Sequence, residues 1–85
     1  MWAELLPKTV GGTIVDHDMP ESPATIIGYR VTDDWVEVQT DHGWSFGGAR
    51  HCTGINAGET PGTFIMRAPL LAATITMPDL RPKKA

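Results

Sequence analysis

Hydrophobic residues recur at every second position in the middle of this chain. Side chains of an extended strand point alternately to its two faces, so this period predicts strands with one apolar face. The positions on this period are Ile27, Tyr29, Val31, Val36, Val38 and Thr40. Tight turns at 32–34 and 41–43 separate the segments 25–31, 35–40 and 44–46. Because loops so short join antiparallel neighbours, the pattern predicts a three-stranded antiparallel meander.

Two further segments are typical of strands. Thr9–Val15 is rich in β-branched residues, and its paired glycines indicate a bulge or a close approach of two backbones. In Gly62–Ala68, Phe64 and Met66 share one face, and Pro69 ends the segment. We therefore expect one strand before the meander and one after it.

The rest of the C-terminal half is less clearly patterned. Residues 70–77 fit a helix that begins at Pro69, but the β-branched residues at 74–76 favour a strand. The segment 49–52 is either a short strand or the start of a loop. The glycine-rich segment 53–62 predicts a loop.

Five to six strands and little helix place the chain in the all-β class. A small SH3-like or OB-like barrel, or a sandwich, would accommodate this meander. The predicted boundaries are 1–8 for an N-terminal arm, 9–77 for the β domain and 78–85 for a basic C-terminal tail.

The N-terminal segment carries Trp2, Leu5 and Leu6 at the spacing of one helix face. This spacing predicts either one amphipathic turn ended by Pro7 or an apolar arm laid against another subunit. In the second case the arm and the basic residues of the tail would bridge neighbouring copies. The tail residues concerned are Arg81, Lys83 and Lys84.

The length of the chain, its apolar segments and its single cysteine limit the class of protein. The 85 residues allow one domain. No apolar run approaches the roughly 20 residues of a membrane helix, and the N-terminus lacks the basic start of a secretion signal. A single cysteine excludes an internal disulfide, so we expect a cytoplasmic protein, or one assembled there into a virion.

The net charge of −3 is unevenly distributed. Seven acidic residues and one arginine give residues 10–45 a charge of −6, whereas five basic and two acidic residues give 46–85 a charge of +3. Acidic loops of this kind either keep a small domain soluble or meet a basic partner. The acidic balance argues against a nucleic-acid partner, because binding to nucleic acid needs a basic surface.

The residues able to carry catalysis or bind metal are His17, His42, His51 and Cys52. Their spacing matches no zinc pattern, and neighbours on a strand point to opposite faces. Neither an oriented base for the thiol nor a phosphate-binding glycine loop is recognisable. We therefore predict no enzyme activity, no cofactor and no metal site.

The aromatic residues give the most specific prediction. Trp35 falls on the polar face of its strand with Glu37, where it either packs under the arm or a loop, or stays exposed as an anchor for a partner. The predicted protein-binding residues are Trp35, Asp33, Asp34, Glu37, Tyr29, Arg30, Trp2, Leu5 and Leu6.

These observations favour a non-enzymatic protein-interaction or assembly module. We expect its partner to be another protein or copies of itself in a homo-oligomer, and a small structural or accessory protein of a virus or phage would suit the size. The alternatives are a small nucleic-acid-binding β-barrel, or a metal-binding protein that uses its histidines and cysteine.

Overall fold

The structure, a computed structural model, describes residues 2–78. The basic tail predicted for 78–85 therefore lies, apart from Pro78, outside the described residues. The elements in chain order are α1 Trp2–Thr9, β1 Thr13–Asp16, β2 Ala24–Val31, β3 Trp35–Thr40, β4 Ser45–Ala49, the 3₁₀ turn η1 Arg50–Cys52, β5 Gly54–Ala57, β6 Thr63–Ala68 and β7 Leu71–Thr76.

The described strands form one antiparallel sheet in the order β4-β3-β2-β1-β7-β6-β5. The all-β prediction is confirmed, with seven strands in the described part rather than five or six. The expected closure into a barrel is wrong, because β4 and β5 are the two edges of the sheet and do not pair. The sheet instead curls, so that a Cβ placed on Gly48 of β4 would lie 3.5 Å from the Cβ of Ala68 on β6.

The meander of β2, β3 and β4 is confirmed. Within β3, Val36 and Val38 are fully buried while Glu37 between them stays partly exposed. Val38 pairs with Phe46 of β4, which is also buried. The alternation therefore reflects one face on the core and one face towards solvent. The buried hydrophobic residues are Trp2, Leu6, Ile14, Ala24, Ile26, Val36, Val38, Phe46, Met66, Ala73 and Ile75.

A β-bulge interrupts the period of β2. Ile26 pairs with Thr40 and Gly28 pairs with Gln39, so Ile27 is the extra residue. A bulge places two residues opposite one and shifts the phase of the alternation. Ile26 is consequently buried, whereas Ile27 is 60% exposed. The uninterrupted period from 27 to 31 that the sequence predicted begins only after the bulge.

The structure decides between the alternatives that the sequence left open in the C-terminal half. Leu71–Thr76 is strand β7, as its β-branched residues favoured. Ala49 ends β4, and the next three residues form the turn η1. The predicted loop 53–62 is wrong in its first half, because Gly54–Ala57 pairs with β6 as strand β5.

The N-terminal segment is a helix that belongs to the domain core. Helix α1 continues past Pro7 to Thr9, whose hydroxyl donates a 2.7 Å hydrogen bond to the Leu6 carbonyl. Gly11, with φ of 91°, makes the turn that follows. Trp2 is 8% exposed and Leu6 is fully buried, so this segment packs on its own sheet and is not a free arm. Neither helical segment in residues 2–78 is long and apolar enough to cross a membrane.

Candidate protein-interaction surface

The outer face of the β2–β3–β4 meander, with the turn between β2 and β3, brings together five of the nine residues predicted to bind a partner. Arg30 of β2 pairs with Glu37 of β3, and Trp35 pairs with Ala49 of β4. Directly paired residues project to the same side of a sheet, so these side chains share the face opposite the core. We call this the Trp35 face and define it by Arg30, Trp35, Glu37, Gly47 and Ala49.

The indole of Trp35 is held in place although it is not buried. Its Nε1–H donates a 2.7 Å hydrogen bond to Glu37 Oε1, and its side chain is 40% exposed. Its backbone N–H donates to the hydroxyl of Thr32 at 3.0 Å, which fixes the residue at the end of the turn. With this exposure, Trp35 is not buried under the N-terminal arm or a loop, which was one of the two expectations from the sequence.

The β4 residues on the Trp35 face have small side chains or none. A Cβ on Gly47 would collide with the Val36 carbonyl oxygen and lie 2.5 Å from the Cβ of Glu37. Glycine is therefore required at this position by the close approach of β3, and it leaves one side of Glu37 uncovered. Ser45 and Ala49, the other β4 residues on this face, are also small. The β4 side chains beside the indole are thus all small or absent.

The turn between β2 and β3 adds acidic groups at one end of this face. Asp33 and Asp34 are exposed. Arg50 braces the turn, because its backbone N–H donates to the Asp34 carbonyl at 2.9 Å and its Nη1 donates to the Thr32 carbonyl at 3.1 Å. The turn therefore presents its carboxylates from a fixed backbone.

Four of the predicted binding residues lie elsewhere. Tyr29 pairs with Val38 and so projects from the core side of β2, where it is 43% exposed. Trp2 and Leu6 are buried in their own domain and are not available to a partner. Leu5 lines a groove of about 240 Å³ between α1 and the β5–β6 hairpin.

The residues considered for catalysis or metal binding are dispersed. His17 Nε2 lies 2.7 Å from the hydroxyl of Thr74, and His42 Nε2 lies 3.8 Å from Asp41 Oδ1. His51 and Cys52 are exposed on η1. In residues 2–78, no three His, Cys, Asp or Glu side chains are grouped as metal ligands.

Two exposed apolar features were not predicted from the sequence. Ile27 is exposed because of the bulge, which the neighbouring Gly28 could have signalled. Leu70 is 93% exposed at the tip of the β6–β7 hairpin, and Leu71 next to it is 44% exposed. Pro69 could have indicated this exposure, because a proline that ends a strand places the residues that follow it in a turn.

Comparison with known proteins leaves the functional argument to this geometry. No family model matches the chain, and no curated protein or solved structure matches it significantly.

Proposed function

We propose that this domain is a non-enzymatic protein-interaction module that binds a protein partner through the Trp35 face. The observation that carries the proposal is the exposed but oriented indole of Trp35, held by Glu37 at 2.7 Å. A tryptophan fixed before binding loses little conformational freedom on binding, and tryptophan is enriched among the residues that dominate interface energies.

The charges around the indole favour a partner with basic side chains. Asp33 and Asp34 are exposed at the end of the face, whereas Arg50 already donates to the backbone of their turn. Complementary charge of this kind accelerates association and selects the partner. A small structural or accessory protein of a virus or phage, assembled in the cytoplasm, is the setting we propose for such a module.

Site-specific photo-crosslinking in cells that produce the protein tests this function. A photoreactive phenylalanine at position 49, directly opposite Trp35 on the same face, is expected to capture one discrete adduct, which the Asp34→Lys variant weakens. The matched control carries the same group at Glu59, an exposed residue of the β5–β6 turn. Equal capture at both positions, or no adduct at position 49, would exclude the Trp35 face as the binding surface.

A further inference from the structure

Beyond the Trp35 face, we infer that the groove between α1 and the β5–β6 hairpin is the docking site for segment 79–85 of this same chain, with the side chain of Leu80 filling it. The groove has a volume of about 240 Å³. Its apolar lining consists of Leu5, Ile55 and Phe64, which are all partly buried. Since a cavity of about 150 Å³ holds a benzene molecule, this groove has room for one leucine side chain.

The chain leaves β7 at one end of this groove. The Met77 N–H donates to the Gly62 carbonyl at 3.0 Å, which places Met77 beside the beginning of β6. A Cβ built on Gly12 would lie 3.3 Å from Pro78 Cδ, and the Gly12 N–H donates to the carbonyl of Thr9, the last residue of α1, at 2.8 Å. Pro78 therefore lies next to both the end of α1 and the beginning of β6, the two elements that contribute most of the groove.

This point of attachment favours segment 79–85 over a separate molecule as the occupant. Residue 79 follows Pro78 directly, so no linker separates the segment from the groove. A ligand tethered by a short link has an effective concentration in the millimolar range, which a separate protein at micromolar concentration does not match. Seven extended residues span roughly 23 Å, whereas the eight residues of α1 are about 12 Å long, so the segment is long enough to follow the whole groove.

The charges along α1 indicate the direction in which the segment runs. Lys8 and Glu4 both line the groove, are exposed, and are one helical turn apart. Neither makes an ion pair within residues 2–78. Because α1 ends next to Pro78, Lys8 lies nearer to Pro78 than Glu4 does. A segment that runs from Pro78 antiparallel to α1 therefore passes Lys8 first and Glu4 second.

The sequence of the segment has the complementary order. Asp79 is followed by Leu80 and then by Arg81, so an acid comes first and a base third. Two residues of extended chain advance about 7 Å, and the four residues from Lys8 back to Glu4 rise about 6 Å. Each charge of the segment thus meets the opposite charge on α1, whereas the reverse direction would pair like charges.

The alternation of an extended chain places Leu80 correctly in the same arrangement. Neighbouring side chains of an extended segment project to opposite sides. With Asp79 and Arg81 directed at α1, Leu80 is directed at the β5–β6 hairpin, where Ile55 and Phe64 line the groove. The charges and the apolar residue of the segment are therefore satisfied by one placement.

Nuclear Overhauser contacts in the full 85-residue chain test the inference directly. We expect contacts between the Leu80 methyl groups and the Phe64 ring, and the Leu80→Ser variant should shift the methyl resonances of Ile55. Leu70→Ser is the matched control, because Leu70 is 93% exposed on the β6–β7 hairpin, and it should leave those resonances unchanged. The absence of Leu80–Phe64 contacts, or an Ile55 spectrum that Leu80→Ser leaves unchanged, would overturn the inference.

An isotope-filtered spectrum of mixed labelled and unlabelled chains identifies the source of the segment. The Leu80 contacts should arise within one chain, and contacts found only between chains would assign the groove to a second copy and overturn the inference. A charge exchange tests the direction. Glu4→Arg and Arg81→Glu should each move the Ile55 methyl resonances towards their positions in Leu80→Ser, and the double variant should move them back.

A double variant that does not restore the Ile55 resonances would overturn the antiparallel placement. The groove lies on the core side of the sheet, where α1 packs, whereas the Trp35 face is on the opposite side. Crosslinking at position 49 therefore does not depend on this contact, and the proposed function and the docking of the segment can fail independently.

Discussion

Replacing Leu6 by alanine tests whether α1 is part of the folded domain. Leu6 is fully buried, although sequence alone allowed it to lie in an arm. Large-to-small substitutions at such sites cost about 3 kcal/mol or more, because the transfer term and the cavity add. A chain of this length has roughly 4–13 kcal/mol of stability in total, so the loss is a substantial fraction. At about 4–8 °C per kcal/mol, the expected fall in Tm is about 12–24 °C.

The assays are urea denaturation, which gives the free energy of unfolding, and thermal unfolding, which gives Tm, both followed by far-ultraviolet circular dichroism. Leu70→Ala is the matched control, because the same atoms are removed from a side chain that is 93% exposed. It should change the free energy of unfolding by less than about 0.5 kcal/mol. The slope m should stay equal in both variants and the natural chain. If Leu6→Ala behaves like Leu70→Ala, α1 does not contribute to the core and the packing described for it is wrong.

Two further substitutions probe the Trp35 face itself. Gly47→Ala should lower the free energy of unfolding by about 1–3 kcal/mol, because the new Cβ collides with the Val36 carbonyl oxygen. The control is Gly54→Ala, where the new Cβ has no atom within 4 Å. In the same denaturation assay, this control should change the free energy of unfolding by less than about 0.5 kcal/mol. Glu37→Ala should accelerate solvent exchange of the Trp35 indole N–H in nuclear magnetic resonance spectra, and an unchanged exchange rate would contradict the 2.7 Å hydrogen bond.

The sequence predicted the faces of the meander well because neighbouring strands joined by tight turns leave little freedom of pairing. The alternation through Val36 and Val38 required one buried face, and the structure has it. The bulge at Ile27 was not predicted, because two adjacent isoleucines fit either phase of the alternation. Only the pairing of Gly28 with Gln39 decides which of the two enters the core.

The N-terminal helix and β5 show what local patterns leave open. The spacing of Trp2 and Leu6 gives a helix face, but the same face can cover its own sheet or another subunit. The sequence of Gly54–Ala57 has no pattern typical of a strand, and the segment is a strand because it pairs with β6. Exposure of Trp35 was likewise open from sequence, since it depends on where α1 packs and not on β3.

Within residues 2–78, the edge of β4 stays unpaired because of η1, the short connection between β4 and β5, which also determines how far the sheet curls. η1 joins β4 to β5, the two ends of the sheet, so the sheet must curl for so short a link to span them. Closure would then need β5 to pair with β4. Instead, the Thr53 hydroxyl donates a hydrogen bond to the Ala49 carbonyl, and the Thr53 N–H donates to the Arg50 carbonyl. The chain thus turns away as it leaves β4, and β4 and β5 remain the two edges of the sheet.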